Sequence, residues 1–379
     1  MFRVLSVLVG VWCACSFADT TTNQELLKNL SARMEKLPSK KGALIKSFTH
    51  HTQSYIYDQA LAVIAFAKAK EKDKARSLLL GLESLQMKDG SLYFSYYMDG
   101  VSPYPIEGDK RFAGAIAWVA LAASHYQHAF HSKEFSAFNY RVLSYLQSQM
   151  ADLKVNGEEV KAVRFAPTDI KATRWNEAET VALEHNLDAY AAFKHFAQLN
   201  KTEKWNGEIK GLNRFIMSMW DSSRSHFWSG ANVKTGAINK DELYLDNQSW
   251  SLLALDRDAL REINPKLAME LNCDAFYVEH ENVKGFMDSK PTRRPASSKF
   301  VWSEGTLGQV LAMKKVGSTC NDQSADQFMY SIHKMKKADG GIAYATFTPN
   351  PDFTTASSVA GTAWLYFAVN DVNPFEINL

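Results

Sequence analysis

The sequence predicts an all-α protein in which six helical hairpins close into a ring. Three observations carry that expectation. Apolar, alanine-rich segments alternate with amphipathic ones along the whole chain. Short turns join each apolar segment to the amphipathic one after it, and long irregular stretches lead on to the next pair. Finally, the two unpaired segments at the chain ends complete the count.

Taken in order, the first unpaired segment is Asn23–Lys36, with Leu26, Leu27, Leu30 and Met34 on one face. The pairs follow: Tyr57–Ala69 with Lys72–Met87, Phe112–Tyr126 with Lys133–Met150, and Glu184–Leu199 with Thr202–Trp220. Two more are Asp246–Leu255 with Pro265–Tyr277 and Ser303–Val316 with Asp322–Lys337. The last apolar segment, Ser358–Val369, pairs with Asn23–Lys36, so no hairpin keeps an exposed apolar flank. Runs such as Ala60 to Ala67 and Ala113 to Ala120 are apolar on every side and belong in an inner ring. Their partners, polar on one face as at Lys72, Asp73, Lys74 and Arg76, form the outer one.

The long connections, Lys88–Arg111, Ala151–Leu183, Asp221–Leu245 and Glu279–Trp302, then gather at one end, over the N-termini of the inner helices. Function concentrates where long loops cluster on a rigid scaffold. Asp89 to Tyr96 alternates like a strand, Asp339 to Tyr344 echoes it, and Phe227–Ala237 carries turn glycines at Gly230 and Gly236.

With 46% hydrophobic residues, the chain can fill a large core, and disorder is excluded. A net charge of +2, from 43 basic and 41 acidic residues, gives no electrostatic case for nucleic acid. Arg3, the apolar run Val4 to Ala14 and the small residues Ser16 and Ala18 read as a secretory signal over residues 1–18. Residues 19–379 then form one domain, secreted or periplasmic; a lipid anchor at Cys15 is the alternative. No later apolar run reaches the about 18 residues that span a bilayer. Cys273 and Cys320 either pair or stay buried as free thiols. No metal-ligand spacing, phosphate loop or nucleophile elbow is present, and no cofactor is expected.

Several phrases resemble the six-hairpin glycosidase superfamily, and within it a group of exported bacterial proteins. They are Tyr57-Asp58-Gln59-Ala60-Leu61, Glu184-His185-Asn186-Leu187-Asp188 and Asp246-Asn247-Gln248-Ser249-Trp250. Trp302-Ser303-Glu304-Gly305-Thr306, Val359 to Trp364 and Asn373-Pro374-Phe375 complete the set. The resemblance implies an (α/α)6 toroid acting on carbohydrate, with inversion as the stereochemical outcome. It assigns no catalytic residue.

The residues suggest roles of their own. Asp58, Glu184, Asp246 and Glu304 each open an inner helix of a different hairpin, so a closed ring brings them to one mouth. Cleaving a glycosidic bond needs two carboxyl groups, a proton donor and a base or nucleophile. The competing role is helix capping. The helix dipole should lower the pKa of Asp58 and Asp246 and make them bases. Glu184 and Asp188 lie four apart on one helix face, where two like charges raise one pKa; Glu184 is the expected acid, with Glu304 next. His185 and Asn186 would orient hydroxyls. Tyr57, Trp175, Trp250 and Trp302 would line the groove, since flat rings stack on sugar faces. Arg111, with Arg164 and Arg174, would matter if the reaction were a lyase elimination. The expectation is therefore a monomeric glycoside hydrolase acting on an extracellular or cell-envelope oligo- or polysaccharide. A polysaccharide lyase and a non-catalytic glycan binder are the alternatives.

Overall fold

In the computed structural model, described for residues 22–100, 103–104, 108–169, 177–290 and 299–378, the alternating pattern becomes two concentric layers of helices. In chain order these are α1 (22–32), α2 (Ile56–Lys68), α3 (Lys72–Leu85), α4 (Ala113–Phe130), α5 (Ser136–Ser148), α6 (Leu183–Asn200) and α7 (Asn206–Ser218). The series continues with α8 (Leu245–Ala254), the short α9 (Arg257–Arg261), α10 (Pro265–Phe276), α11 (Ser303–Val316), α12 (Ala325–His333) and α13 (Val359–Val369).

The inner layer packs α2 on α4, α4 on α6, α6 on α8, α8 on α11, α11 on α13 and α13 back on α2, which closes the ring. Outer helices α3, α5, α7, α10 and α12 each lie on their own inner partner. At the seam α1 meets α13 through reciprocal side-chain amide bonds between Asn23 and Asn370, 3.0 and 2.8 Å long. Alanine explains the inner layer, because Ala60, Ala62, Ala65, Ala117, Ala120 and Ala122 are wholly buried and let helix axes approach. Among the described residues no helix is long and apolar enough to cross a membrane.

The ring axis is filled. Trp118, Trp250 and Trp364 occupy the sixth position of α4, α8 and α13 and meet there. Phe375 packs beneath, 4.9 Å from Trp118 and 5.4 Å from Trp250 between ring centroids. The tail that carries it is held from below. His125 Nε2 donates to the Pro374 carbonyl at 2.8 Å, and His195 Nε2 to that of Phe375 at 2.7 Å. Burial keeps both imidazoles neutral, with His125 well below the ordinary range and His195 lowered to about 4.

A repeated device fixes each loop to its helix. The fourth residue of five inner helices turns its polar side chain onto the backbone of a neighbouring strand. Gln59 accepts from Ile45 N and donates to Ile45 O, at 2.9 and 2.7 Å. Gln248 does the same with Phe227, at 2.8 Å each way. Asn186 does so with Val163, at 2.7 and 3.1 Å. Thr306 and Thr362 accept from Phe286 N and Ile342 N, at 2.9 and 3.0 Å. The sixth helix, α4, has Ile116 there.

Helix boundaries match the expected ones within a few residues, with local differences. Met34–Lys36 is not the end of α1 but a strand paired with Ala43–Ile45. Asp89 to Phe94 does not form a strand; only Ser95–Tyr97 does, and it pairs with Gln53–Tyr55. Met150–Val155 and Glu158–Val163 form a hairpin that the sequence pattern did not disclose. Cys273 and Cys320 are bonded, with Cα atoms 5.5 Å apart, joining α10 to the loop after α11. Residues 1–18, Arg174 and Trp175 lie outside the described residues.

Candidate active site

Position along each inner helix decides what reaches the mouth. The second residues are Tyr57, Gly114, Glu184, Asp246, Glu304 and Ala360. Four of these are polar, and with Asp188 one turn below Glu184 they form a single electrostatic cluster. Asp246 bears on Glu184 and Glu304; Glu184, Asp246 and Glu304 all bear on Asp188. Acids spread between positions 184 and 304 thus fall into one cluster.

The carboxyl groups have unlike surroundings. Glu184 keeps 27% of its side chain exposed, and its Oε1 lies 3.8 Å from His185 Nε2. No hydrogen bond to its carboxyl is present among the described residues. Burial, then the charge of Asp246, holds its pKa well above the ordinary carboxylate range. Asp188 is buried and raised in the same direction, by burial first and by Glu184 next. Its close approach to α4 requires Gly114, where a methyl group would stand 2.4 Å from His185 Cδ2 and 2.9 Å from Asp188 Oδ2. Burial lifts Asp246 to about 7.

Glu304 is held by donors. The Tyr57 hydroxyl donates to Glu304 Oε1 and accepts from Trp364 Nε1 at 2.9 Å. The Tyr344 hydroxyl also leans on this carboxyl. Burial wins over these hydrogen bonds and pushes Glu304 up to about 8. Neither Trp364 nor Tyr344 was expected in the site; both come from the seam, where only ring closure brings the last helix to the first.

Other expected site residues have structural partners. Asp58, third in α2 rather than second, is held by Ser47 and Arg33, although its charge also bears on Glu304. It is buried against the Ser47 hydroxyl and the Ala360 backbone, with Arg33 nearby, and burial raises it to about 7. For Asp58 and Asp246 alike, desolvation therefore overrides the helix dipole, and the expected lowering is reversed. Asn186 spends its amide on Val163 and on the Ala182 carbonyl, so it orients the chain and not a ligand. Trp250 stacks on Trp364, 5.8 Å away and 11° from parallel, inside the axis. Trp302 is buried and folds over Gly305, where an added methyl would come within 2.2 Å of its ring. Arg111 is engaged by Asp169 at 2.6 Å and Asp89 at 3.7 Å. His185 stacks on Phe165 with centroids 4.1 Å apart, and burial lowers it to about 3, leaving it neutral.

No protein-family model and no curated protein matches the chain. Solved structures do. A sugar epimerase from a ruminal bacterium aligns at 12% identity over 93% of this chain and 99% of its own, with a TM-score of 0.66. A GH76 α-mannanase from Bacteroides thetaiotaomicron aligns at 12% identity over 94% and 95%, with a TM-score of 0.64. A glycosidase with glucose bound aligns at 8% identity over 93% and 95%, with a TM-score of 0.65. Glycosidase structures with a tyrosine or a glutamate replaced also align, at 8% and 7% identity. Identities this low carry the fold and not the chemistry. The fold shared with these structures is an (α/α)6 toroid, with small antiparallel hairpins at one end.

Proposed function

We propose that the protein is a glycoside hydrolase, exported to act on an extracellular or cell-envelope glycan as a monomer. The observation that carries this reading is the contrast between two carboxyl groups at one mouth. Glu184 has no hydrogen-bond donor among the described residues and lies under the influence of Asp246, so it keeps its proton. Glu304 accepts from Tyr57 and so can be oriented while ionised. Hydrolysis needs such a divided pair.

Glu184 gives its proton to the glycosidic oxygen as the bond to the anomeric carbon breaks. Glu304 takes a proton from a water whose oxygen attacks that carbon from the opposite face. The leaving sugar departs as an alcohol, and the anomeric configuration inverts. Burial and the charge of Asp246 keep Glu184 protonated between turnovers. The mannanase supports a glycan substrate.

The test is a reducing-sugar screen of the mature protein against envelope and capsule glycans, repeated with Glu184→Gln and Glu304→Gln. Each variant should lose at least about a hundredfold in kcat, the lower range for a general acid or base. Turnover unchanged in both variants, release of unsaturated product, or no cleavage of any glycan would each defeat the proposal.

A further inference from the structure

A row of aromatic rings runs along the mouth and ends beside Glu184. Tyr55 meets Phe94 at 5.0 Å, Phe94 meets Phe112 at 4.8 Å, and Phe112 meets Phe165 at 4.8 Å between centroids. Phe165 then stacks on His185, the neighbour of Glu184. All five rings come from the loops and helix starts of the first three hairpins. Tyr55, Phe94, Phe112 and Phe165 are half-buried. The Lys110 ammonium borders the row, 5.6 Å from the Phe112 centroid.

The chemistry of this row differs from that of a sugar platform. Its three central rings are phenylalanines, with no polar edge to meet hydroxyls. Most of their backbone groups are occupied as well. Phe94 N donates to Lys110 O, and Phe94 O accepts from Ile56 N. Phe165 N donates to Thr180 O, Phe165 O accepts from Ala113 N, and Phe112 O accepts from Ile116 N. A glycan laid here would lose water from most of its hydroxyls and find few polar groups in its place. An alkyl or aryl group would lose nothing polar.

This inference rests on the hydrolase reading, in which Glu184 protonates the leaving-group oxygen. The ring row adjoins that acid and so lies on the leaving-group side. We propose that this row, centred on Phe94 and Phe112, is the leaving-group subsite and takes an apolar aglycone. The bond cut is then the one joining a sugar to an alkyl or aryl carrier.

Binding of octyl and methyl glycosides of glucose and mannose, and of their trisaccharides, tests this by calorimetry. It is read in the Glu184→Gln protein, so that no turnover is needed. One octyl glycoside should bind at least about tenfold tighter than its methyl counterpart, a small part of what burying the chain at about 0.8 kcal/mol per methylene could yield. Phe112→Ser should abolish that advantage. Phe112→Tyr, which keeps the ring, should retain it and serves if the serine variant does not fold. Equal affinity for octyl and methyl glycosides overturns the inference. So does a Phe112→Ser loss that is as large for the trisaccharides. Ring-dependent octyl binding in a protein that cleaves nothing would sink the hydrolase reading alone; glycan cleavage with no octyl preference would sink this one alone.

Discussion

Replacing Tyr57 by phenylalanine removes one oxygen from the centre of the mouth and tests how Glu304 is held. That oxygen donates to Glu304 and accepts from Trp364. The hydrogen bond favours the ionised carboxylate and opposes the burial that lifts Glu304 to about 8. A hydrogen bond to a charged group contributes about 1.5–3 kcal/mol, and 1.36 kcal/mol is one pKa unit. The variant should therefore move the Glu304 pKa further upward by about one to two units. With Glu304 as the base, kcat/KM of the parent rises with pH through about 8. In Tyr57→Phe the same rise should occur one to two units higher, with much of the plateau rate retained. The assay is the pH profile of kcat/KM on whichever glycan the screen identifies. A uniform fall in rate with the rising limb unmoved would refute the reasoning, because Tyr57 would then act on substrate and not through Glu304.

The same cluster predicts stability against pH. Asp58 and Asp246 are raised to about 7 and Glu304 to about 8, so the folded state binds more protons than the unfolded one above pH 4. Above about 6.5 the buried neutral histidines His125, His185 and His195 no longer offset this, so stability should fall as pH rises from about 6.5 to about 8. A melting temperature that climbs over that range would contradict it, and Asp188→Asn should raise the melting temperature at the alkaline end. A third prediction concerns the loop anchors. Asn186→Ala breaks two side-chain bonds to Val163 and leaves buried backbone groups unpaired, so chemical denaturation should show a loss of about 2–4 kcal/mol. A loss of activity at unchanged stability would instead return Asn186 to substrate binding.

The ring was legible in the sequence because helical periodicity and turn length are local, and six pairs leave only one closed arrangement. So was the meeting of Glu184, Asp246 and Glu304, which follows from their sharing one helix position. Asp58 misled because it sits one residue further along α2, and one residue is a rotation of about 100°. Its true partners, Ser47 and Arg33, lie before the helix and could not be ranked from spacing. Asn186 looked like a ligand-binding amide, yet Gln59 and Gln248 occupy the same place in the sequence repeat; comparing the three would have pointed to a shared structural task. Trp250 could be placed on an inner helix but not on its axial side, since that depends on Trp118 and Trp364 arriving from other hairpins. The sense of the Asp58 and Asp246 shifts was missed because a dipole is visible in a sequence and the depth of burial is not. The phenylalanine row escaped notice because strand pairing and ring closure assemble it from residues 55 to 185.

The side-chain anchors at the fourth helical position separate two jobs that a single chain must do. Because Gln59, Asn186, Gln248, Thr306 and Thr362 hold the loops by main-chain atoms, the identity of the residues in those loops is left free. New recognition surfaces can then be grafted one at a time, each seated on a footing already provided, while the barrel beneath registers nothing. Ile116 marks the one berth without such a mooring, on the helix whose preceding connection carries Phe94 and Phe112. Selection or design that seeks to change what this molecule grips would find the least resistance there.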